Sequence, residues 1–327
     1  MQKPLVAASS GGVWEYCGRV IRNLNAYHVA LGHADWFQTT RRCQSIGGLY
    51  MSTRVGFIGL GNIGKPMAIN LAKAGFDLMV YDLRPDPMRE LATFGATCAR
   101  SVEEIAHHSE VVELVVVDDA QVEAVTIEEG GLLASARPGT IIAIHSTIHP
   151  RTVRKVAALA QAKSVVVIDA QVSGGERGAY AKTLCYMVGG DKSAFEKCRP
   201  LFATSGAEIF HLGALGAGAA AKLAHNLIVY VNMLAASEGM SLAQAAGVDV
   251  GTMEKIVHAG AAQSRVADHW SQQRALADTY TSGPKGLKEL IHKDLRLVLE
   301  LGHDLELGLP GAALTQQLIN RIFEVSQ

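Results

Sequence analysis

The stretch Arg54-Val55-Gly56-Phe57-Ile58-Gly59-Leu60-Gly61-Asn62-Ile63-Gly64 decides the fold. Its first five residues have the composition of a strand, and the glycines that follow stand in G-x-G-x-x-G spacing. A helical pattern begins at once: Met67, Ala68, Leu71 and Ala72 recur on one face, and Gly75 ends it. A second strand, Asp77 to Tyr81, terminates in Asp82. Strand, glycines, helix, strand and acid in this order form the context that a glycine motif needs before it carries weight.

Each part has a physical task. Gly59 permits the tight turn, Gly61 lets the backbone approach a pyrophosphate, and Gly64 lets helix and strand pack closely. The segment Gly59, Leu60, Gly61, Asn62, Ile63, Gly64 thus presents a helix N-terminus, with unpaired N–H groups, to phosphates. Asp82 follows Gly64 by 18 residues, where a carboxylate accepts hydrogen bonds from ribose hydroxyls. A carboxylate there repels a 2′-phosphate, so NAD is the favoured cofactor; Arg84, two residues on, keeps NADP possible.

The alternation continues down the chain. Strands are expected at Glu110–Val117, Thr140–His145, Ser164–Asp169, Thr183–Val188 and Ile209–Leu212, with helices at Pro150–Ala162 and Ser193–Phe202. This pattern implies a Rossmann-type α/β domain with a mainly parallel sheet covered on both faces. Ligands in such sheets lie beyond the carboxyl ends of the strands, which points to the loops Gly59–Gly64, Ser146–Pro150 and Gln171–Gly178.

After about Gly213 the strand signal stops. A helix of roughly 30 residues, about 45 Å long, is expected from Ala217 to Ala246, with Gly247 as its stop. Further helical patterns cover Val250–Ala259, Ser264–Leu276, Gly286–Gly302 and Ala312–Val325. The reading is three parts: an extension over 1–50, expected to be disordered; a dinucleotide-binding domain over 51–215; and an all-helical domain over 216–327, joined by the long helix. On that helix Lys222 and Asn226 share a face. Spacing alone leaves open whether the pair is solvated or lines a site.

Composition excludes several classes. Of 327 residues, 30 are Lys or Arg and 31 Asp or Glu, with no basic stripe, so no nucleic-acid or polybasic membrane partner is expected. Five cysteines without a CxxC pair argue against a disulfide framework and for a cytoplasmic setting. The apolar stretch 217–246 carries Lys222, His225, Asn226, Asn232 and Glu238, which count against a bilayer span. Residues 1–50 lack a signal-peptide core, and their amphipathic pattern is too weak for a clear mitochondrial presequence. His145 and His149 are four apart but fall in a loop ending at Pro150 without a third ligand, so no metal site is expected.

Four blocks resemble the 3-hydroxyisobutyrate dehydrogenase-related family of β-hydroxyacid dehydrogenases, over roughly residues 53–325. They are 55–68; 169–175 continuing to Met187-Val188-Gly189-Gly190; Gly216-Ala217-Gly218 leading to Lys222 and Asn226; and Lys293-Asp294-Leu295 followed by Leu309-Pro310. The resemblance implies that Lys222 is the catalytic lysine and that Asn226 orients substrate and lysine. It implies that Ser173, Gly174 and Gly175 hold a substrate carboxylate, an anion nest in physical terms. It places Ser146 and Thr147 near substrate and nicotinamide, and has Lys293 reach the cofactor or close the cleft. The substrate implied is a small anionic hydroxy acid, and the assembly a homodimer or homotetramer.

The chain departs from the family pattern at Gln171, Lys182, His145, His225 and Glu176-Arg177, which bears on substrate identity more than on chemistry. Two other readings stay in view: an imine reductase-like enzyme, and a non-catalytic dinucleotide-binding protein. The second has no need to keep Lys222, Asn226 and Ser173 together.

Overall fold

The computed structural model describes residues 53–279 and 286–323; the expectation for residues 1–50 lies outside them. Eight strands form one sheet in the order β3-β2-β1-β4-β5-β6-β7-β8. They are β1 (Arg54–Ile58), β2 (Asp77–Tyr81), β3 (Thr97–Cys98), β4 (Val111–Leu114), β5 (Ile141–Ile144), β6 (Val166–Ser173), β7 (Leu184–Gly189) and β8 (Gly206–His211). All neighbours run parallel except β6 and β7. The domain is Rossmann-like, and an all-helical domain follows it.

The strands are apolar on both faces, as a covered parallel sheet requires. Val55, Phe57, Val111, Ile141, Ala143, Ile168 and Ala170 face one layer, with helices α1 (Gly64–Ala74), α2 (Pro85–Ala92), α7 (Gly175–Ala181) and α8 (Lys192–Phe202). Ile58, Val112, Leu114, Ile142, Ile144 and Val167 face the other, with α3 (Val102–His108), α4 (Asp119–Thr126), α5 (Leu132–Ser135) and α6 (Pro150–Gln161). The alternation within each strand is the period of two that a pleated strand imposes.

The long helix α9 (Ala217–Ala245) packs on β6 and β7, then on α12 (Leu287–Asp304) and α13 (Pro310–Ile322). Its Leu223, Tyr230, Met233 and Met240 join Trp270, Ile291, Leu295, Val298 and Ile319 in the core of the helical domain. That core is completed by α10 (Val250–Ala259), a 3₁₀ turn (Ala267–His269) and α11 (Trp270–Thr279). Among the described residues α9 alone has the length and apolarity to cross a membrane; here it serves as a packed helix.

Three expectations are corrected. The strand expected over Glu110–Val117 is only Val111–Leu114, because its neighbours end opposite Leu114, at Ile58 and Ile144. The loop expected over Gln171–Gly178 is instead strand through Ser173 and helix from Gly175, because β7 supplies antiparallel pairing there. The helix expected from Ser264 opens as the 3₁₀ turn before α11.

Asp169, fully buried, anchors α9 to the sheet. Its two oxygens accept from Gly216 N at 2.8 Å and Ala219 N at 2.7 Å, the unpaired donors of the helix start. Burial pushes this carboxyl up from the usual range, and the backbone hydrogen bonds oppose that only in part. Asp169→Ala leaves two buried N–H groups without partners, so the unfolding free energy should fall by roughly 2–4 kcal/mol in a denaturant titration. A loss under about 0.5 kcal/mol, the ordinary scatter of surface changes, refutes the anchoring role.

Candidate active site

The glycine turn has the shape its residues foretell. Gly59 sits at φ +93°, and a Cβ there would lie 1.9 Å from the Val115 carbonyl oxygen. A Cβ on Gly64 would lie 2.0 Å from the Gly59 oxygen. Gly61 differs, because a Cβ there meets nothing within 4 Å and its face is open. Ile63 begins α1 without a side-chain cap, and the first turn holds no acidic residue. The positive end of the helix dipole therefore faces this opening, as a pyrophosphate requires.

Asp82 closes the far side. Its Oδ2 accepts from Leu60 N at 2.7 Å, and its Oδ1 from Arg84 N at 2.8 Å and Arg84 Nε at 3.0 Å. Burial pushes the Asp82 carboxyl up, but the bonds from Arg84 and Leu60 outweigh that and hold it below the usual value. The open glycine, the uncapped helix and this ionised ledge fit the pyrophosphate and ribose of a dinucleotide.

Lys222 lies one and a half turns into α9, where the helix leaves the sheet for the helical domain. It makes no hydrogen bond or ion pair among the described residues, and its side chain is only partly exposed. Burial of the ammonium lowers its pKa from 10.5 to about 8; Asp294 pulls it up and Lys293 pushes it down. The Cys185 thiol on β7 also senses it, which sets Lys222 between the sheet and α12.

The residues one turn on are tied down. Asn226 Nδ2 donates to Asp294 Oδ2 at 2.8 Å, and Tyr230 Oη donates to the same oxygen at 2.7 Å. Asn226 Oδ1 meets His225 Nδ1 at 3.2 Å, and His225 Nε2 meets Ser173 Oγ at 3.1 Å. Ser173, His225, Asn226 and Asp294 are thus one continuous network running from the end of β6 to α12, with Lys222 beside it. Gly174 and Gly175 follow Ser173 at φ +135° and +67°, backbone shapes that glycine alone adopts freely.

Lys293 spans the crevice between the domains. Its ammonium donates to Thr147 O at 2.7 Å and Val117 O at 3.2 Å and lies 3.0 Å from Asp294 Oδ1. It ties the loops after β4 and β5 to α12. Ser146 is buried, and its Oγ accepts from Val116 N at 2.8 Å, bracing the same two loops. Thr147 contributes its carbonyl to Lys293. The two loop histidines diverge: His145 Nδ1 donates to Ala170 O at 2.6 Å, while His149 Nδ1 caps α6 by accepting from Arg151 N.

Sequence reasoning assigned no role to Asp294, Tyr230 or Asp169. Tyr230 had a local signal, since 222, 226 and 230 are successive turns of one face. Asp294 had only its place beside Lys293, and its three contacts come from 64 or more positions away or from its own neighbour.

Comparison with known proteins agrees with this architecture. Residues 54–213 match the family described as the NAD binding domain of 6-phosphogluconate dehydrogenase, and residues 216–326 the family described as NAD-binding of NADP-dependent 3-hydroxyisobutyrate dehydrogenase. The chain is 37% identical over 268 residues to the 2-hydroxy-3-oxopropionate reductase of Escherichia coli, covering 82% of this chain and 90% of that one. It is 42% identical over 204 residues to the NAD-dependent L-serine dehydrogenase of Pseudomonas aeruginosa, covering 62% and 68%. The solved structure of Mycobacterium tuberculosis 3-hydroxyisobutyrate dehydrogenase with L-serine has a TM-score of 0.72 at 29% identity, covering 83% of this chain and 94% of that one.

Asp294 raises the Lys222 pKa by its charge, so its removal should lower that pKa further. In Asp294→Asn, the midpoint for pH-dependent labelling of Lys222 by an amine-selective reagent should move below about 8. A midpoint that stays put or rises would show that Asp294 does not hold the ammonium.

Proposed function

The chain belongs to the 3-hydroxyisobutyrate dehydrogenase-related family of β-hydroxyacid dehydrogenases, and from that premise we propose that it interconverts a small β-hydroxy acid and its aldehyde or keto acid, with Lys222 as general acid/base. Membership makes it an NAD(P)-dependent enzyme acting on CH–OH groups. The observation that carries the finer reading is the state of Lys222: an ammonium without a partner among the described residues, brought to about 8, beside the Ser173–His225–Asn226 network. A general acid/base works best with a pKa near the operating pH.

A bound dinucleotide accepts or supplies the hydride; the protein manages position and proton. Gly59 to Gly64 and Asp82 hold the cofactor. In oxidation the neutral Lys222 amine takes the proton of the substrate hydroxyl as the C–H bond breaks. In reduction the Lys222 ammonium returns a proton to the carbonyl oxygen. Asn226, fixed by Asp294, orients the reacting oxygen, and the Ser173–Gly175 segment receives the substrate. Lys293 and Ser146 hold the cleft walls together through the loops after β4 and β5. Exposed Ile228 and Leu242 on α9 support the expectation of a homo-oligomer.

Lys222→Met should lower kcat by roughly 10²–10⁴-fold while NAD still binds, as followed by fluorescence titration. The sign of the pH dependence is fixed. Oxidation needs the neutral amine, so its rate should rise as pH passes upward through about 8; reduction needs the ammonium, so its rate should fall over the same range. A Lys222→Met enzyme of near-normal turnover defeats the assignment.

NAD is the cofactor this reading favours, because a carboxylate at the end of β2, Asp82, would repel a 2′-phosphate; the named NAD dependence of the Pseudomonas relative supports this. Asp82→Ala removes that charge and frees Arg84 from its ion pair. The ratio of kcat/KM with NADP to that with NAD should then rise by at least about tenfold, the worth of one charged hydrogen bond. A wild-type enzyme that already prefers NADP overturns the argument.

A further inference from the structure

Hydrogen positions on amide and imidazole groups follow from the partners they meet. Here the assignment starts at Asp294. A carboxylate only accepts, so Asn226 must turn its Nδ2–H toward Asp294 Oδ2, at 2.8 Å. Asn226 Oδ1 then faces His225 Nδ1, at 3.2 Å. An amide oxygen also only accepts, so His225 carries its proton on Nδ1. In the neutral ring Nε2 is a bare lone pair, and it lies 3.1 Å from Ser173 Oγ. Ser173 must therefore be the donor. Its hydroxyl proton is committed to His225, and what it offers the crevice is oxygen lone pairs.

The neutral ring is the form that matters near pH 7. Burial and the charge of Lys222 on the same helix both push His225 below the ordinary histidine value. From α12, Asp294 and Lys293 lie 3.0 Å apart as a pair. From β7, burial pushes the Cys185 thiol up, so it brings no charge. Among the described residues no carboxylate contacts the imidazole, since Asn226 and Ser173 occupy its two nitrogens.

We propose that His225 determines substrate specificity by turning Ser173 into a hydrogen-bond acceptor. The position then selects a β-hydroxy acid that carries a donor, an amino or hydroxyl group, on the carbon next to the carboxylate. A methyl group there leaves the Ser173 oxygen desolvated without a partner, and a carboxylate oxygen meets lone pairs with lone pairs. The substrate carboxylate falls to the backbone of Gly174 and Gly175. Protonation of His225 reverses the polarity: Nε2–H donates to Ser173, and the hydroxyl proton turns to the crevice. The inference rests on the dehydrogenase reading above and adds the substrate class.

The test compares four acids of similar size: 3-hydroxypropanoate and its 2-methyl, 2-hydroxy and 2-amino derivatives. Values of kcat/KM with NAD at pH 8 should favour the 2-amino or 2-hydroxy acid over the 2-methyl acid by about tenfold or more, the worth of one hydrogen bond. In wild-type enzyme that ratio should shrink as pH falls below the ordinary histidine range. His225→Leu should bring the ratio near parity at every pH, and His225→Gln, which can still accept from Ser173, should keep much of it. A purely structural role for His225 lowers all four substrates alike and leaves the ratio unchanged. Preference for the 2-methyl acid, or a ratio indifferent to both pH and His225→Leu, overturns the inference while the dehydrogenase reading stands. No turnover of any of the four overturns both. The pH series on wild-type enzyme decides the matter if the variants fail to fold.

Discussion

The grip of Asp169 on the start of α9 is the constraint on which the site depends. A buried carboxylate reaches two N–H groups of the helix end, and the backbones around it touch. A Cβ on Gly218 would lie 2.4 Å from the Met187 carbonyl oxygen, and one on Gly189 would lie 2.6 Å from both the Ala214 oxygen and Asp169 Oδ1. Small residues and an acid therefore fix where the helix starts and in which direction it leaves the sheet. Lys222 comes three residues after Ala219, the second residue held by Asp169, so its direction is inherited from that contact. The anchor is local, but it decides which atoms of a second domain face the sheet.

Two lysines and one aspartate share the seam, and their environments separate their tasks. Lys293 gives its hydrogens to two backbone carbonyls and faces Asp294, so its charge is fully engaged in holding loops and helix together. Lys222 has the same charge nearby, no partner among the described residues, and deep surroundings. Desolvation therefore outweighs the pull of Asp294 on Lys222, and its proton becomes exchangeable at about pH 8. Asp294 serves both: it faces Lys293 with one oxygen and fixes Asn226 and Tyr230 with the other. The same group that sets the amine's charge also sets the orientation of the amide beside it.

What was legible in the sequence is what local physics writes there. The glycine turn shows because positive φ and close backbone approach exclude side chains at Gly59 and Gly64. The long helix shows because 223, 226, 230 and 233 recur on one face, and Gly247 follows it at φ +84°. The short helices α2, α4 and α5 left little signal, although Asp118 caps one of them, because elements of four to eight residues give too little periodicity to separate from loop. The Ser173–His225–Asn226–Asp294 network was not legible as a network. Its members were visible singly, His225 as a departure from a pattern, but separations of 52 and 68 residues leave no trace in spacing.

The reversal of β7 explains how Ser173 comes to meet that network at all. β5 ends at Ile144, opposite Asp169, so a parallel neighbour could support β6 no further than its fourth residue. β6 nevertheless continues through Ala170, Gln171 and Val172 to Ser173, each paired with β7 running the other way, down to Ser173 opposite Cys185. An antiparallel partner enters from beyond the edge where the parallel strands stop, so it can carry a strand past that edge. The extension carries the Ser173 hydroxyl four residues past Asp169, to 3.1 Å from His225 Nε2. Gln171, which pairs with Met187 in the extension, turns its Nε2 to the Ile144 oxygen at 3.1 Å and so bonds the extension back to the end of β5. The one antiparallel step in the sheet is what brings the substrate segment and the bridging helix within hydrogen-bond reach.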